Sequence, residues 1–157
     1  MNVDGKVVVI TGGASGIGAA MARAFVDEGA RAVVVADVQR ELGARVATDL
    51  GDRATFVRCD VANRSDLEDL LEQTEATHGP VDLLCANAGI ASGMGVDGDD
   101  DVWNRVWSIN VMGIVHAAAA YLPRVESRGE GYLLVTASAA GLLVNLGDAP
   151  YTATKHA

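Results

Sequence analysis

Aromatic side chains make up only 4% of the 157 residues, and Lys and Arg number 12 against 21 Asp and Glu. Half of the residues are hydrophobic, so a core is available. With few aromatics and 18 glycines, it must be packed from small and branched aliphatic side chains, which suits helices lying close against a sheet. The shortage of cations leaves a formal net charge of −9. An acidic chain repels phosphate backbones and anionic lipid, so neither nucleic acid nor a membrane is expected as a partner. One small anionic ligand is still admissible, because a few backbone amides at a helix start can outweigh an unfavourable overall charge. No run approaches ~18 uninterrupted apolar residues, so no bilayer-spanning segment is expected. The opening Met1-Asn2-Val3-Asp4-Gly5-Lys6 lacks the regions of a leader peptide. The two cysteines, Cys59 and Cys85, fall in separate apolar stretches without metal-ligand spacing. Reduced, buried thiols and a cytoplasmic setting are expected, with no metal site.

What is present is a repeating order. Lys6 to Thr11 is a short β-branched run with no polar alternation, as in a strand covered on both faces. A helix follows over about Gly16 to Glu28, with Ile17, Met21, Ala24 and Phe25 on one side and Gly29 as its stop. The pattern recurs: strand Arg31–Asp37, helix Arg40–Leu50, strand Ala54–Asp60, then a helix with capping-box spacing at Ser65-Asp66-Leu67-Glu68. Next come strand Val81–Ala86, a long helix from about Asp101 to Leu122 and strand Tyr132–Ala137. Strands joined by helices imply βαβ units, hence an α/β fold with a doubly wound parallel sheet of Rossmann type. A chain of this length makes about one domain by the usual size prior.

Between the first strand and helix lies Thr11-Gly12-Gly13-Ala14-Ser15-Gly16-Ile17-Gly18. Glycines serve where the backbone turns sharply and where a pyrophosphate must reach bare amides, and the following helix presents its positive end there. A plain tight turn would use the same residues, but the strand before and the helix after favour the phosphate reading. Asp37 closes the second strand, where an acid contacts the adenosine ribose in this architecture. Its carboxylate would oppose the 2′-phosphate of NADP. Two like charges ~4 Å apart cost roughly 4 kcal/mol at an effective dielectric of about 20. No Arg or Lys stands at positions 13 to 15 or 38 to offset it, so NAD is the expected cofactor. Tyr151 and Lys155 are four residues apart, on one face if helical. A phenol is almost fully protonated near neutral pH, and a neighbouring ammonium is what could let it act as a base. Asn110 interrupts the apolar Trp103, Trp107, Ile114 stripe of the long helix, and a polar residue there needs partners.

The glycine spacing G-x-x-x-G-x-G with its leading Thr resembles the T-G-x-x-x-G-x-G signature of short-chain dehydrogenases/reductases. So do Asp60-Val61, Asn87-Ala88-Gly89 (with Ala86 in place of the family's first Asn), Ile109-Asn110-Val111-Met112-Gly113, Ser138 in Thr136 to Gly141, and Tyr151-x-x-x-Lys155, in order along the chain. The resemblance implies strand order 3-2-1-4-5 and an NAD site built from Gly12, Ser15, Gly16, Ile17, Gly18, Asp37, Asp60, Val61, Asn87, Ala88, Gly89, Tyr151 and Lys155. It implies hydride transfer between NAD(H) and a small alcohol or carbonyl substrate. Tyr151 would be the general acid/base and Lys155 would make the phenol more acidic and bind the nicotinamide ribose. Ser138 would hold the substrate oxygen, and Asn110 would support a water relay. His78, His116 and His156 match no role. Members of the family run well beyond 157 residues, so 1–157 reads as a single NAD-binding Rossmann domain incomplete at its C-terminus. Later strands would be missing, the fifth strand would be an open edge, and such a chain alone would have little activity. The parent would be a homodimer or tetramer pairing the long helix and the Tyr-Lys helix. Leu142 to Ala149 offers an apolar wall and no substrate identity. A non-catalytic nucleotide-binding protein is the alternative, and it predicts lost catalytic side chains. A sugar-nucleotide epimerase is another, and it typically carries G-x-x-G-x-x-G, which is absent here.

Overall fold

Valine builds the centre of the sheet. Strands β1 (Val7–Thr11) and β2 (Ala32–Asp37) read VVVIT and AVVVAD, with every residue buried. Branched side chains fit a pleated surface covered on both sides. The computed structural model describes residues 2–144 and 147–157. Its elements continue from helix α1 (Gly16–Asp27) through α2 (Arg40–Leu50), β3 (Ala54–Arg58), α3 (Arg64–His78), β4 (Leu83–Ala86), α4 (Asp100–Trp107), α5 (Gly113–Arg128) and β5 (Tyr132–Val135) to α6 (Ala149–His156). The five strands form one parallel sheet in the order β3-β2-β1-β4-β5, the expected order.

Alternate side chains feed two cores. Val8, Ile10, Val33 and Val35 meet Ala22 and Val26 of α1 with Val46 and Leu50 of α2. Val7, Val9 and Val34 meet Leu67, Leu70 and Leu71 of α3 and Ala117, Ala120 and Tyr121 of α5 on the other face. Strand period two thus sorts neighbours to opposite layers. Tyr121 is wholly buried; its hydroxyl donates toward the Val81 and Asp82 carbonyls at 3.0 and 2.9 Å and accepts from the Tyr132 amide at 3.3 Å. That hydroxyl ties the starts of β4 and β5 to α5. Cys59 and Cys85 are free and buried, as expected, and burial pushes both thiols up to about 12.

Several expectations are corrected. The helix α3 begins at Arg64 behind Asn63, not at a Ser65 capping box. Glu68, the acid of that box, accepts instead from Arg64 Nε at 2.9 Å, while Asp66 accepts from Arg58 (2.6 Å) at the end of β3 and from the Asp60 amide (2.9 Å) beyond it. The long helix runs unbroken from Asp100 to Arg128, through a π-helical turn at Ser108–Met112. Its buried line is Val106, Asn110, Gly113, Ala117, Ala120 and Tyr121, while Trp107, expected on the apolar stripe, is 43% exposed. This 29-residue helix, with mean hydropathy 1.3 over its best window, is long and apolar enough to cross a bilayer by length and composition only, a test that core helices also pass, and Ala117, Ala120 and Tyr121 pack into the core. A count of uninterrupted apolar residues misses it because isolated polar residues break the run. The fifth strand ends at Val135, so Ser138 lies beyond it and caps a short 3-10 turn at Ala139–Gly141. Tyr132, Leu134 and Val135 are exposed along β5, the edge of the sheet among the described residues. Asn145 and Leu146, within the stretch expected to form an apolar wall, lie outside the described residues.

Candidate active site

All five strands point their C-terminal ends the same way, and a cleft of ≈ 540 Å³ opens above them. A crevice there, between β1, whose connection runs to β2 on one side, and β4, reached by the crossover from β3 to the other side, is where parallel α/β sheets place ligands.

The turn after β1 forms one end. Gly12 (φ 65°) and Gly16 (φ 52°) adopt left-handed backbone, which favours glycine. Close packing constrains the others. A Cβ on Gly12 would lie 2.8 Å from the Ala88 Cα, and one on Gly18 would lie 2.8 Å from the Asn87 side-chain nitrogen and drive into the Gly12 carbonyl. The spacing G-x-x-x-G-x-G therefore records two kinds of demand: left-handed φ at 12 and 16, and the meeting of turn, helix and neighbouring loop at 12 and 18. Thr11 secures that loop by accepting from the amides of Asn87 and Ala88 (3.0 and 3.1 Å) while donating to the Cys85 carbonyl. Asn87 Nδ2 donates to the Thr11 and Gly12 carbonyls at 3.0 and 3.3 Å.

The carboxylate of Asp37 is buried at the end of β2, where Oδ2 accepts from the Ala14 amide (3.1 Å) and Oδ1 from the Gln39 amide (3.0 Å). It steadies the glycine turn while facing the cleft. Asp60 and Val61 line the same end beyond β3, with Asp60 Oδ1 accepting from the Ala62 amide at 3.0 Å.

Tyr151, Lys155 and Ser138 line the opposite end. Tyr151 and Lys155 share one face of α6, the ammonium 5.6 Å from the ring centroid. Lys155 Nζ donates to the Thr136 carbonyl at 3.3 Å. The Ser138 hydroxyl accepts from the Ala140 amide at 3.2 Å. Gly89 is near both Lys155 and Asn110, since a Cβ there would stand 3.8 Å from Nζ and 3.4 Å from Asn110 Oδ1.

Every candidate cofactor-binding or catalytic residue lines this one cleft except Asn110, which stands behind it, 1% exposed. Its oxygen accepts from the Ile90 amide (2.8 Å), and its nitrogen donates to the Ile90 carbonyl (2.9 Å) and to Thr154 Oγ1 (3.0 Å). Both amide hydrogens are thus committed to protein, and the side chain fastens loop to helix. Asn110 lies on the buried line of Val106, Gly113 and Ala117, inward as its place on the stripe led one to expect, with the π-helical turn at Ser108–Met112 running through it.

Sequence reasoning missed three residues. Thr136 donates through its hydroxyl to Asn87 Oδ1 at 3.0 Å. Thr154 is buried against Asn110. Asp148 caps α6 and binds the loop after β4. Only Asp148 had a readable signal, an Asp two residues before Pro150 at a helix start.

Comparison with known proteins places this architecture. A family model described as short chain dehydrogenase matches residues 6–157. "Short-chain dehydrogenase reductase 5" of Arabidopsis thaliana is 42% identical over 99% of this chain and 61% of its own length. A nepetalactol synthase of Nepeta racemosa is 39% identical over 99% of this chain and 59% of its own. The crystal structure of a short chain dehydrogenase/reductase from Burkholderia phymatum in complex with NAD superposes with TM-score 0.95 at 35% identity, over 99% of this chain and 57% of that one. The chain thus spans about three fifths of the length of the curated relatives it matches.

Proposed function

The chain belongs to the short-chain dehydrogenase family, and we propose that it carries the NAD site and the proton-transfer group of an oxidoreductase acting on an alcohol or its carbonyl product. The observation that carries this reading is one cleft with a glycine turn at one end and Tyr151, Lys155 and Ser138 at the other.

The residues fit a dinucleotide. Positions 12 and 18 have no room for a Cβ, which packs the turn against the Asn87 loop, while Ser15, Gly16 and Ile17 at the start of α1 line the cleft where helix-start amides suit phosphate. The Asp37 carboxylate suits a ribose carrying free hydroxyls and opposes one carrying phosphate. NAD, as in the Burkholderia phymatum complex, is the cofactor this supports. When bound, NAD supplies the acceptor or donor of the hydride.

The chain's own residues handle the rest. Ser138 holds the substrate oxygen by a hydrogen bond, and Tyr151 takes the hydroxyl proton in oxidation or returns it in reduction. Lys155 stabilises negative charge developing on the phenol oxygen, and Thr136 keeps its ammonium in place. Asn110 fixes Thr154 and Ile90 beside it, which supports a framework for a water relay to solvent. Trp107, Val115 and Leu122 are exposed along the long helix. That apolar outer face supports a homodimer or tetramer.

The test follows NADH formation over a panel of secondary alcohols, with NADP in parallel. NADH formation separates net oxidation from a reaction such as that of the synthase relative, whose name specifies no oxidation. Oxidation with NAD, lost by about 100-fold or more in Tyr151→Phe, is the expected result. A Tyr151→Phe variant as active as wild type overturns the assignment.

A further inference from the structure

The phenol sits in the first turn of its helix, Tyr151 being the third residue of α6. The amides of a first turn have no partner within the helix and need one outside it. Where the phenol points therefore depends on what fastens α6 to its surroundings.

Besides Lys155, which donates to the Thr136 carbonyl, two fasteners bear on Tyr151. In the second turn, Thr154 accepts from Asn110 Nδ2 at 3.0 Å and donates to the Tyr151 carbonyl at 2.7 Å. At the N-terminal end stands Asp148, 5% exposed. Its Oδ1 accepts from the Tyr151 amide (3.0 Å) and the Ser92 hydroxyl (2.7 Å), while Oδ2 accepts from the amides of Ser92 (2.7 Å) and Gly93 (2.8 Å). Beside it the Ala149 amide donates to the Met94 carbonyl at 2.9 Å. One carboxylate thus joins the backbone amide of the phenol-bearing residue to the loop that follows β4. The same loop is held two residues earlier by Asn110 through Ile90, and Ile90 and Ala91 line the cleft.

We propose that Asp148 is a positioning residue for Tyr151, fixing the phenol against the cleft wall through this carboxylate clamp. The proposal rests on Tyr151 being the proton-transfer group. A plain helix cap needs one acceptor, and Ser or Asn would serve. Here four donors converge, which only an ionised carboxylate can accept together. An amide at 148 would turn its own N–H groups on one pair of those donors. Burial alone would raise the Asp148 carboxyl, but the Ser92 hydroxyl and the amides of Gly93, Tyr151 and Ser92 outweigh it and hold the group below the usual aspartate value. The clamp is therefore charged at neutral pH and at full strength.

The experiment compares Asp148→Ser, Asp148→Asn and Ser92→Ala with wild type and Tyr151→Phe in the intact protein. It uses the secondary alcohol that wild type oxidises fastest and works well below each melting point. Asp148→Ser keeps an acceptor for the Tyr151 amide but is too short to reach the loop, so it separates cap from clamp. If Asp148 positions the phenol, both Asp148 variants lose about 10- to 100-fold in kcat, the scale expected of a misplaced reacting group. Their KM for NAD stays within about twofold, since no bond of Asp148 reaches the glycine turn or Asp37. Ser92→Ala, which removes one donor, loses less and adds nothing further in combination with Asp148→Asn. A purely structural role predicts a lower melting temperature with kcat retained, and that outcome in any folded variant overturns the proposal. So does a parallel loss of kcat and NAD affinity. If Tyr151→Phe keeps wild-type kcat, the underlying Tyr151 reading falls instead, whatever the Asp148 variants do.

Discussion

Replacing Gly18 with alanine puts a methyl carbon 2.8 Å from both the Gly12 carbonyl carbon and the Asn87 side-chain nitrogen, and closer still to the Gly12 oxygen. Comfortable contacts between such atoms lie near ~3.5 Å, so something must move by the better part of an ångström. The Gly12 turn cannot simply retreat, because its own Cα faces the Ala88 backbone, where even a Cβ would meet the Ala88 Cα at 2.8 Å. Helix α1 or the Asn87 loop has to shift instead, and the bond from Asn87 to the Gly12 carbonyl (3.3 Å) is the first casualty. Overpacking of this kind costs about 1–3 kcal/mol, and a lost hydrogen bond adds about 1 kcal/mol. For a chain of this size a total of about 2–4 kcal/mol lowers Tm by roughly 5–15 °C. The amides at the start of α1 move with it, and losing one charge-assisted bond to phosphate weakens NAD binding by roughly 10- to 150-fold. The assay is a thermal melt together with a calorimetric titration of NAD. Gly16→Ala is the control: its Cβ meets nothing within 4 Å but sits at φ +52°, so it should cost only about 1–2 kcal/mol of backbone strain. A Gly18→Ala variant with wild-type Tm and NAD affinity would refute the packing account of the glycine spacing.

Other consequences are open to measurement. Asp37→Ser removes the charge facing a 2′-phosphate, so the ratio of kcat/KM for NADP over NAD should rise by at least about 10-fold; an unchanged ratio would show that the carboxylate does not discriminate. Thr154→Val strips Asn110 Nδ2 of one acceptor in a buried setting, which should cost about 1–3 kcal/mol in urea unfolding, with a fall in kcat; stability equal to wild type would mean the bond is replaced by another. The Asp148 carboxyl titrates lower in the folded protein than its ordinary 3.8. Its contribution to stability is therefore present above that value and is lost as pH falls through the folded pKa. The Tm gap between wild type and Asp148→Asn should narrow as pH drops from about 5 toward 3, and a gap that widens with acid would reverse the sign assigned to this group.

Legibility in the sequence followed the range of the interactions. Strands such as VVVIT announce themselves because burial on both faces is written in each residue, and five of them joined by helices imply the sheet. The glycine turn is legible because its demands are local. What escaped depends on distant contacts. Nothing near Ser65 says that Asp66 will reach back to the Asp60 amide beyond β3, in a helix that already starts at Arg64. Nothing in the Trp103, Trp107 spacing says that the inward line will run through Val106 and Asn110 and leave Trp107 exposed. Thr136 and Thr154 look like ordinary small polar residues until the strand ends and α6 are brought together.

Those long-range contacts are also what make the cleft one site. The Gly12 carbonyl accepts from Asn87, Asn87 Oδ1 accepts from the Thr136 hydroxyl, and the Thr136 carbonyl accepts from Lys155. This path crosses the ends of β1, β4 and β5, linking the phosphate turn to the ammonium beside the phenol by three bonds. Parallel order is what permits it. With every strand ending on the same side, neighbouring C-termini present residues at matching height, and short side chains suffice to span adjacent strands. An antiparallel β4 would put Asn87 at the far edge of the sheet from Thr11, out of reach of any side chain. The position of the reactive group relative to the glycine turn is therefore a property of the sheet first, and of the individual motifs second.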